Sequence, residues 1–96
     1  MKPSEALERH RETIRRATLR YGLANPRVFG SVLHGNDQED SDLDLLIDPA
    51  PRASLSDMAG LQIELEKALG TKVDVRTPGE LPPRFREKVL AEAASL

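Results

Sequence analysis

The chain contains no cysteine and no tryptophan, and aromatics make up only 3 % of it. Without cysteine there can be no disulfide framework and no thiolate zinc site. With so few aromatics, the core has to be built from Leu, Val, Ile and Ala. No apolar run approaches the length of a membrane span, so a membrane role is not expected. The N-terminal Met1-Lys2-Pro3-Ser4-Glu5 has no apolar stretch behind its Lys and does not read as a signal peptide, which makes the cytoplasm the expected compartment. At 96 residues the chain is expected to form one domain over 1–96. A domain of that size buries roughly 60–68 % of its unfolded surface. With 31 % charged residues, a partner that covers part of the surface would make physical sense.

Charge is unevenly placed. Residues 1–34 carry a net +4, residues 35–48 a net −6, and the remainder balances at zero. A basic segment beside an acidic one suits a polyphosphate ligand, although any single Arg of the basic segment reads as part of a solvated helix face. Direct nucleic-acid binding is not expected.

Hydrophobic spacing and breakers divide the chain into seven elements. Ser4 reads as the N-cap of a first helix that carries Leu7, Ile14, Ala17, Thr18 and Tyr21 on one face and stops at Gly22. Tyr21 is expected to lay its ring on the sheet. Asn25-Pro26 reads as a turn, followed by a short strand Arg27-Val28-Phe29 that runs into Gly30-Ser31. A short helical turn and a polar loop occupy 32–41, and a second strand follows over 42–48. Ser56 reads as the cap of a helix through Leu69, with Gly70 as its breaker. Residues 72–76 form a third strand, and Pro82-Pro83 opens a last helix that turns Phe85, Val89, Leu90 and Ala93 inward. The expected fold is therefore α/β, in the order α-β-α-β-α-β-α, with a small three-stranded mixed sheet flanked by helices.

The chemistry concentrates in Gly30-Ser31 and Ser41-Asp42-Leu43-Asp44. Alternate residues of a strand share a face, so Asp42 and Asp44 project side by side while Leu43, Leu45 and Ile47 face the core. Asp is depleted in strands, and a single one is ordinarily an edge charge that discourages aggregation. Here Asp74 adds a third carboxylate on a strand that a crossover helix would bring alongside. Two or three carboxylates on one sheet face suit divalent metal, and Mg²⁺ in particular takes one or two of them plus substrate phosphates. A Gly-Ser turn after a strand can bring backbone N–H groups and a hydroxyl up to a phosphate. Taken together these features point to nucleotidyl transfer.

Val28-Phe29-Gly30-Ser31, a ten-residue spacer and Asp42-Leu43-Asp44-Leu45 resemble the signature of the DNA polymerase β-like nucleotidyltransferase superfamily. Within it, Gly30-Ser31-Val32-Leu33-His34-Gly35 followed by Ser41-Asp42-Leu43-Asp44-Leu45-Leu46-Ile47 is similar to the minimal nucleotidyltransferases. These are prokaryotic proteins of about this length, many of them antitoxins paired with HEPN-domain toxins. The resemblance implies that Gly30 and Ser31 hold the triphosphate of ATP, that Asp42 and Asp44 hold metal (two Mg²⁺ ions), and that Asp74 is a further metal ligand and activates the acceptor hydroxyl. Many relatives carry Arg just before the loop glycine. His34 stands there in this chain, as a weaker phosphate ligand or a solvent-facing loop residue.

The implied activity is transfer of AMP from ATP to a hydroxyl, such as a Tyr, of a partner HEPN toxin within a hetero-oligomer. Two other readings stay open. One is an antitoxin that neutralises its partner by occlusion alone. The other is adenylation of an aminoglycoside-type small molecule, which the expected lack of an acceptor domain disfavours.

Overall fold

The computed structural model describes residues 1–96. Helices α1 (Pro3–Arg9) and α2 (Arg11–Arg20) precede strand β1 (Leu23–Phe29), the short helix α3 (Gly30–His34) and strand β2 (Leu43–Pro49). Helix α4 (Leu55–Leu69), strand β3 (Val73–Arg76), a 3₁₀ turn (Pro78–Glu80), helix α5 (Pro83–Glu92) and strand β4 (Ala94–Ser95) follow. No helix is long and apolar enough to cross a membrane.

The sheet is mixed and has four strands rather than three, in the order β3-β2-β1-β4. β1 runs antiparallel to β2 and β4, while β2 and β3 are parallel with α4 as their crossover. The extra strand pairs Ala94 with Val28 and Ser95 with Arg27. Two residues are too few to show a period-2 alternation.

Alternation along β2 decides which face is which. Leu43, Leu45 and Ile47 are fully buried and join Ile14, Ala17, Leu61, Leu65, Leu69, Val73 and Val75 in one core beneath α1, α2 and α4. The opposite face carries Asp44 and Asp48, and there Leu46 is buried outside that core, with the Pro78–Glu80 turn packed against β2. The exposed edge of β3 is protected by α4, since Val73 N–H donates to Glu66 Oε2 at 3.1 Å and Val75 N–H to Gln62 Oε1 at 3.1 Å. Occupied donors leave little for another strand to pair with.

Several expectations change, each for a local reason. The first helix is broken at His10, which leaves the helical region at φ −125°, ψ 23°. Its N-cap is Lys2 rather than Ser4, because Pro3 takes the first helical position, where a missing N–H costs nothing. The Ser4 N–H then donates to Asp37 Oδ2 at 2.9 Å, which ties the acidic loop to α1. Asn25-Pro26 forms a bulge inside β1 instead of a turn. Asn25 takes φ 54°, the register slips between Ala24 and Arg27, and Asn25 Nδ2 donates to Asp48 Oδ2 at 3.0 Å.

The cap of α4 is Ser54, not Ser56. Ser54 accepts from Asp57 N–H at 3.3 Å and donates its own N–H to Asp57 Oδ2 at 2.8 Å, a reciprocal box that Ser56, followed three residues later by Ala59, cannot form. Tyr21 packs on α4 rather than on the sheet. A Cβ at Gly60 would stand 2.7 Å from its ring, and its hydroxyl donates to Glu64 Oε1 at 3.3 Å.

The last helix also departs from expectation. None of its residues is buried, and Phe85 and Leu90 remain 49 % and 38 % exposed. Polar contacts hold it instead. Arg86 donates to the carbonyls of Pro78, Gly79 and Leu81, and Glu92 pairs with His34.

Candidate active site

Two local features build the site. β1 ends at Phe29, and the chain turns at Gly30 with φ +73° directly into α3, where Val32 and Leu33 anchor the turn on the core. Phe29 pairs with Asp44 across the antiparallel ladder, so this turn stands over the Asp44 carboxylate. A Cβ on Gly30 would collide with the Asp44 carboxylate oxygen and lie 3.1 Å from its Cγ. Only glycine fits, since the left-handed backbone and the close approach both exclude a side chain.

Gly30→Ala is therefore expected to cost about 2–4 kcal/mol, from the left-handed backbone plus overpacking. It should also displace Asp44 and remove binding of ATP with Mg²⁺. Urea unfolding and calorimetry check both, and an unchanged ATP affinity would refute the assignment of Gly30.

The parallel ladder brings in the third carboxylate, because Asp74 is the direct register partner of Asp44. Asp42 lies just before β2 and is exposed, whereas Asp44 and Asp74 are half-buried. Burial first, then the charges of Asp74 and Asp42, push the Asp44 carboxyl up to about 6, and Arg76 partly offsets them. The other ion pairs on this face lie at Asp48, which takes Arg27 Nη2 at 2.6 Å, and at Asp74, which takes Arg76 Nε at 2.9 Å.

No three acidic or imidazole side chains close into a metal-ligand cluster. Asp42 and Asp44 nevertheless fit a hard cation. They offer oxygen donors only, and the raised Asp44 carboxyl gains most from a positive charge beside it. Two protein carboxylates are enough when substrate phosphates complete the shell.

Ser31, the second residue of α3, is half-buried beside Gly30. His34 ends that helix exposed, and its Nε2 lies 3.2 Å from Glu92 Oε2, so the structure ties it to α5. Gly35 takes φ +73°, as the loop path requires, and Ser41 Oγ accepts from Gln38 N–H at 2.8 Å, which braces the loop. Sequence reasoning passed over Arg76 and the buried Asp37. Arg76 was within its reach, because it lies two residues beyond Asp74 and so shares its face. Asp37 makes a tertiary contact that no local pattern marks.

Residues 24–96 match the family described as "Polymerase beta, Nucleotidyltransferase". The protein adenylyltransferase MntA of Thermococcus cleftensis is 35 % identical over 86 residues, which cover 90 % of this chain and 84 % of that protein. A solved structure provisionally assigned as a minimal nucleotidyltransferase superposes with a TM-score of 0.86 at 44 % identity, covering 97 % of this chain and 95 % of that one. A toxin–antitoxin crystal structure with AMP-PNP shares the fold, with a TM-score of 0.73 at 20 % identity over 88 % of this chain and 69 % of that one. This chain is a nucleotidyltransferase, a minimal member of the polymerase β family.

Proposed function

We propose that the chain transfers AMP from ATP to a hydroxyl of a partner protein, a HEPN-domain toxin whose Tyr is the acceptor, and so acts as its antitoxin. The register pairing of Asp44 with Asp74 beneath the Gly30 turn carries this reading. In this reading a cation-binding carboxylate stands next to the carboxylate that takes the proton, the latter paired with Arg76. The adenylyltransferase relative and the AMP-PNP complex support adenine as the base and a toxin as the partner.

In the proposed roles, Gly30 and Ser31 hold the triphosphate through backbone N–H groups and a hydroxyl. Asp42 and Asp44 would hold Mg²⁺, which when bound neutralises developing charge on the phosphoryl oxygens. Asp74 accepts the proton of the acceptor hydroxyl as its oxygen bonds to the α-phosphorus. The bond from that phosphorus to the β-phosphate bridging oxygen breaks, and pyrophosphate leaves. His34 is a further candidate at the phosphates if Glu92 releases it. The bulk and negative charge of the transferred AMP would obstruct an RNA site on the toxin.

The test is to incubate the chain with ATP, Mg²⁺ and the protein encoded by the neighbouring gene, followed by intact mass. The expected result is a gain of AMP on the partner and none on Ser31. An unmodified partner would overturn the reading. Neutralisation by occlusion is the competing reading, and it draws support from the exposed Phe85 and Leu90 on α5.

A further inference from the structure

Two arginines pair with carboxylates on the polar face of the sheet, and the two pairs differ. Arg27 is only 12 % exposed and reaches Asp48 through a terminal nitrogen, Nη2, at 2.6 Å, while Asn25 holds the other Asp48 oxygen. That pair is fixed from both sides. Arg76 is 44 % exposed and Asp74 32 % exposed, and the contact runs through Nε alone at 2.9 Å. A single bond at a half-exposed site is open to displacement by a competing cation, unlike the fixed Arg27 pair.

Register makes the placement informative. Asp74 stands opposite Asp44, and Arg76 stands opposite Leu46, so the guanidinium reaches back along its own strand to the carboxylate. Without it, Asp74 would face Asp44 across one strand spacing with no counter-charge on its own strand. Arg76 supplies that counter-charge, and the three carboxylates do not form one metal-ligand cluster.

We propose that Arg76 is a positioning residue that holds the Asp74 carboxylate apart from the Asp42–Asp44 pair, so that a divalent cation can engage Asp74 only by displacing the guanidinium. Asp74 is thereby kept oriented for the acceptor hydroxyl, while Asp42 and Asp44 remain open to metal. This role for Asp74 rests on the transfer reading above. The competition between Arg76 and a cation does not.

The test is a double-mutant cycle read by calorimetric titration of Mn²⁺ into nucleotide-free protein, using wild type, Arg76→Ala, Asp74→Asn and the double variant. Arg76→Gln serves as a second neutral variant that keeps the aliphatic stem. Removing the guanidinium is expected to tighten Mn²⁺ binding by about tenfold, within the coupling range of contacting residues, and the gain should vanish in the Asp74→Asn background. No gain in either neutral variant would overturn the inference. A gain of equal size in the Asp74→Asn background would also overturn it, because the guanidinium would then act only as a nearby charge. Failure of the wild type to modify any partner would strike the proposed function alone, since the cycle uses neither nucleotide nor acceptor.

Discussion

Asp44→Asn is expected to lower AMP transfer by about two to three orders of magnitude while making the nucleotide-free protein more stable at neutral pH. Both effects have the same cause. Asp44 is half-buried, faces Asp74 in register and lies under the Gly30 turn, so its ionised form is disfavoured and its carboxyl is raised to about 6. In the unfolded chain the same group titrates near the ordinary Asp value of about 4. Between about pH 4 and 6 the native state therefore binds more protons than the unfolded state. The stability this group contributes is complete below about pH 4 and is lost as pH rises through about 6.

At pH 7 the penalty is about 1–3 kcal/mol, discounted for the solvent that still reaches the carboxylate. Asn is close in shape and carries no charge, so the variant escapes this penalty but loses a proposed ligand for the cation. Urea unfolding at pH 7 and pH 4 checks the prediction. The variant should be more stable than wild type at pH 7, and that advantage should disappear at pH 4. An equal difference at both values would show that repulsion at Asp44 is not what the substitution relieves.

Features marked by local patterning were legible in the sequence. The alternation of Leu43, Leu45 and Ile47 with Asp44 placed β2 and its two faces, although the strand runs Leu43–Pro49 rather than 42–48 and leaves Asp42 just outside it. Val73-Asp74-Val75 did the same for β3, and Gly70, at φ +69°, ended α4 where expected. The crossover joining β2 to β3 was enough to bring Asp74 to Asp44. Features that depend on tertiary partners were not legible. The apolar spacing in α5 suggested an inward face, yet none of its residues is buried, and its contacts are the polar ones made by Arg86 and Glu92. Asn25-Pro26 carries turn residues, yet pairing with β2 on both sides carries the strand through them as a bulge. His34 stands where the resemblance implied a phosphate ligand, and its contact is instead with Glu92, which lies 58 residues further along the chain.

Asp74→Asn should separate chemistry from binding. The carboxylate stands opposite Asp44 in register, and Arg76 pairs with it. A Tyr hydroxyl has a pKa near 10 and stays protonated at pH 7, so its attack on phosphorus needs a group to take the proton. With Asn in place, the proposed holders of ATP and Mg²⁺, Gly30, Ser31, Asp42 and Asp44, are unchanged, and ATP affinity should change by less than about threefold, as expected of a residue outside that set. Transfer should fall by about two to four orders of magnitude, the range for losing a general base. Partner binding should persist, because the substitution is isosteric and half-buried. Single-turnover transfer, ATP calorimetry and pull-down of the partner measure the three quantities separately. They also decide between catalysis and occlusion. If Asp74→Asn neutralises the toxin as well as wild type does, and intact mass shows no AMP on the partner with either protein, the chain works by covering its partner. If neutralisation is lost along with transfer while the complex still forms, the chemistry at Asp74 is what silences the toxin.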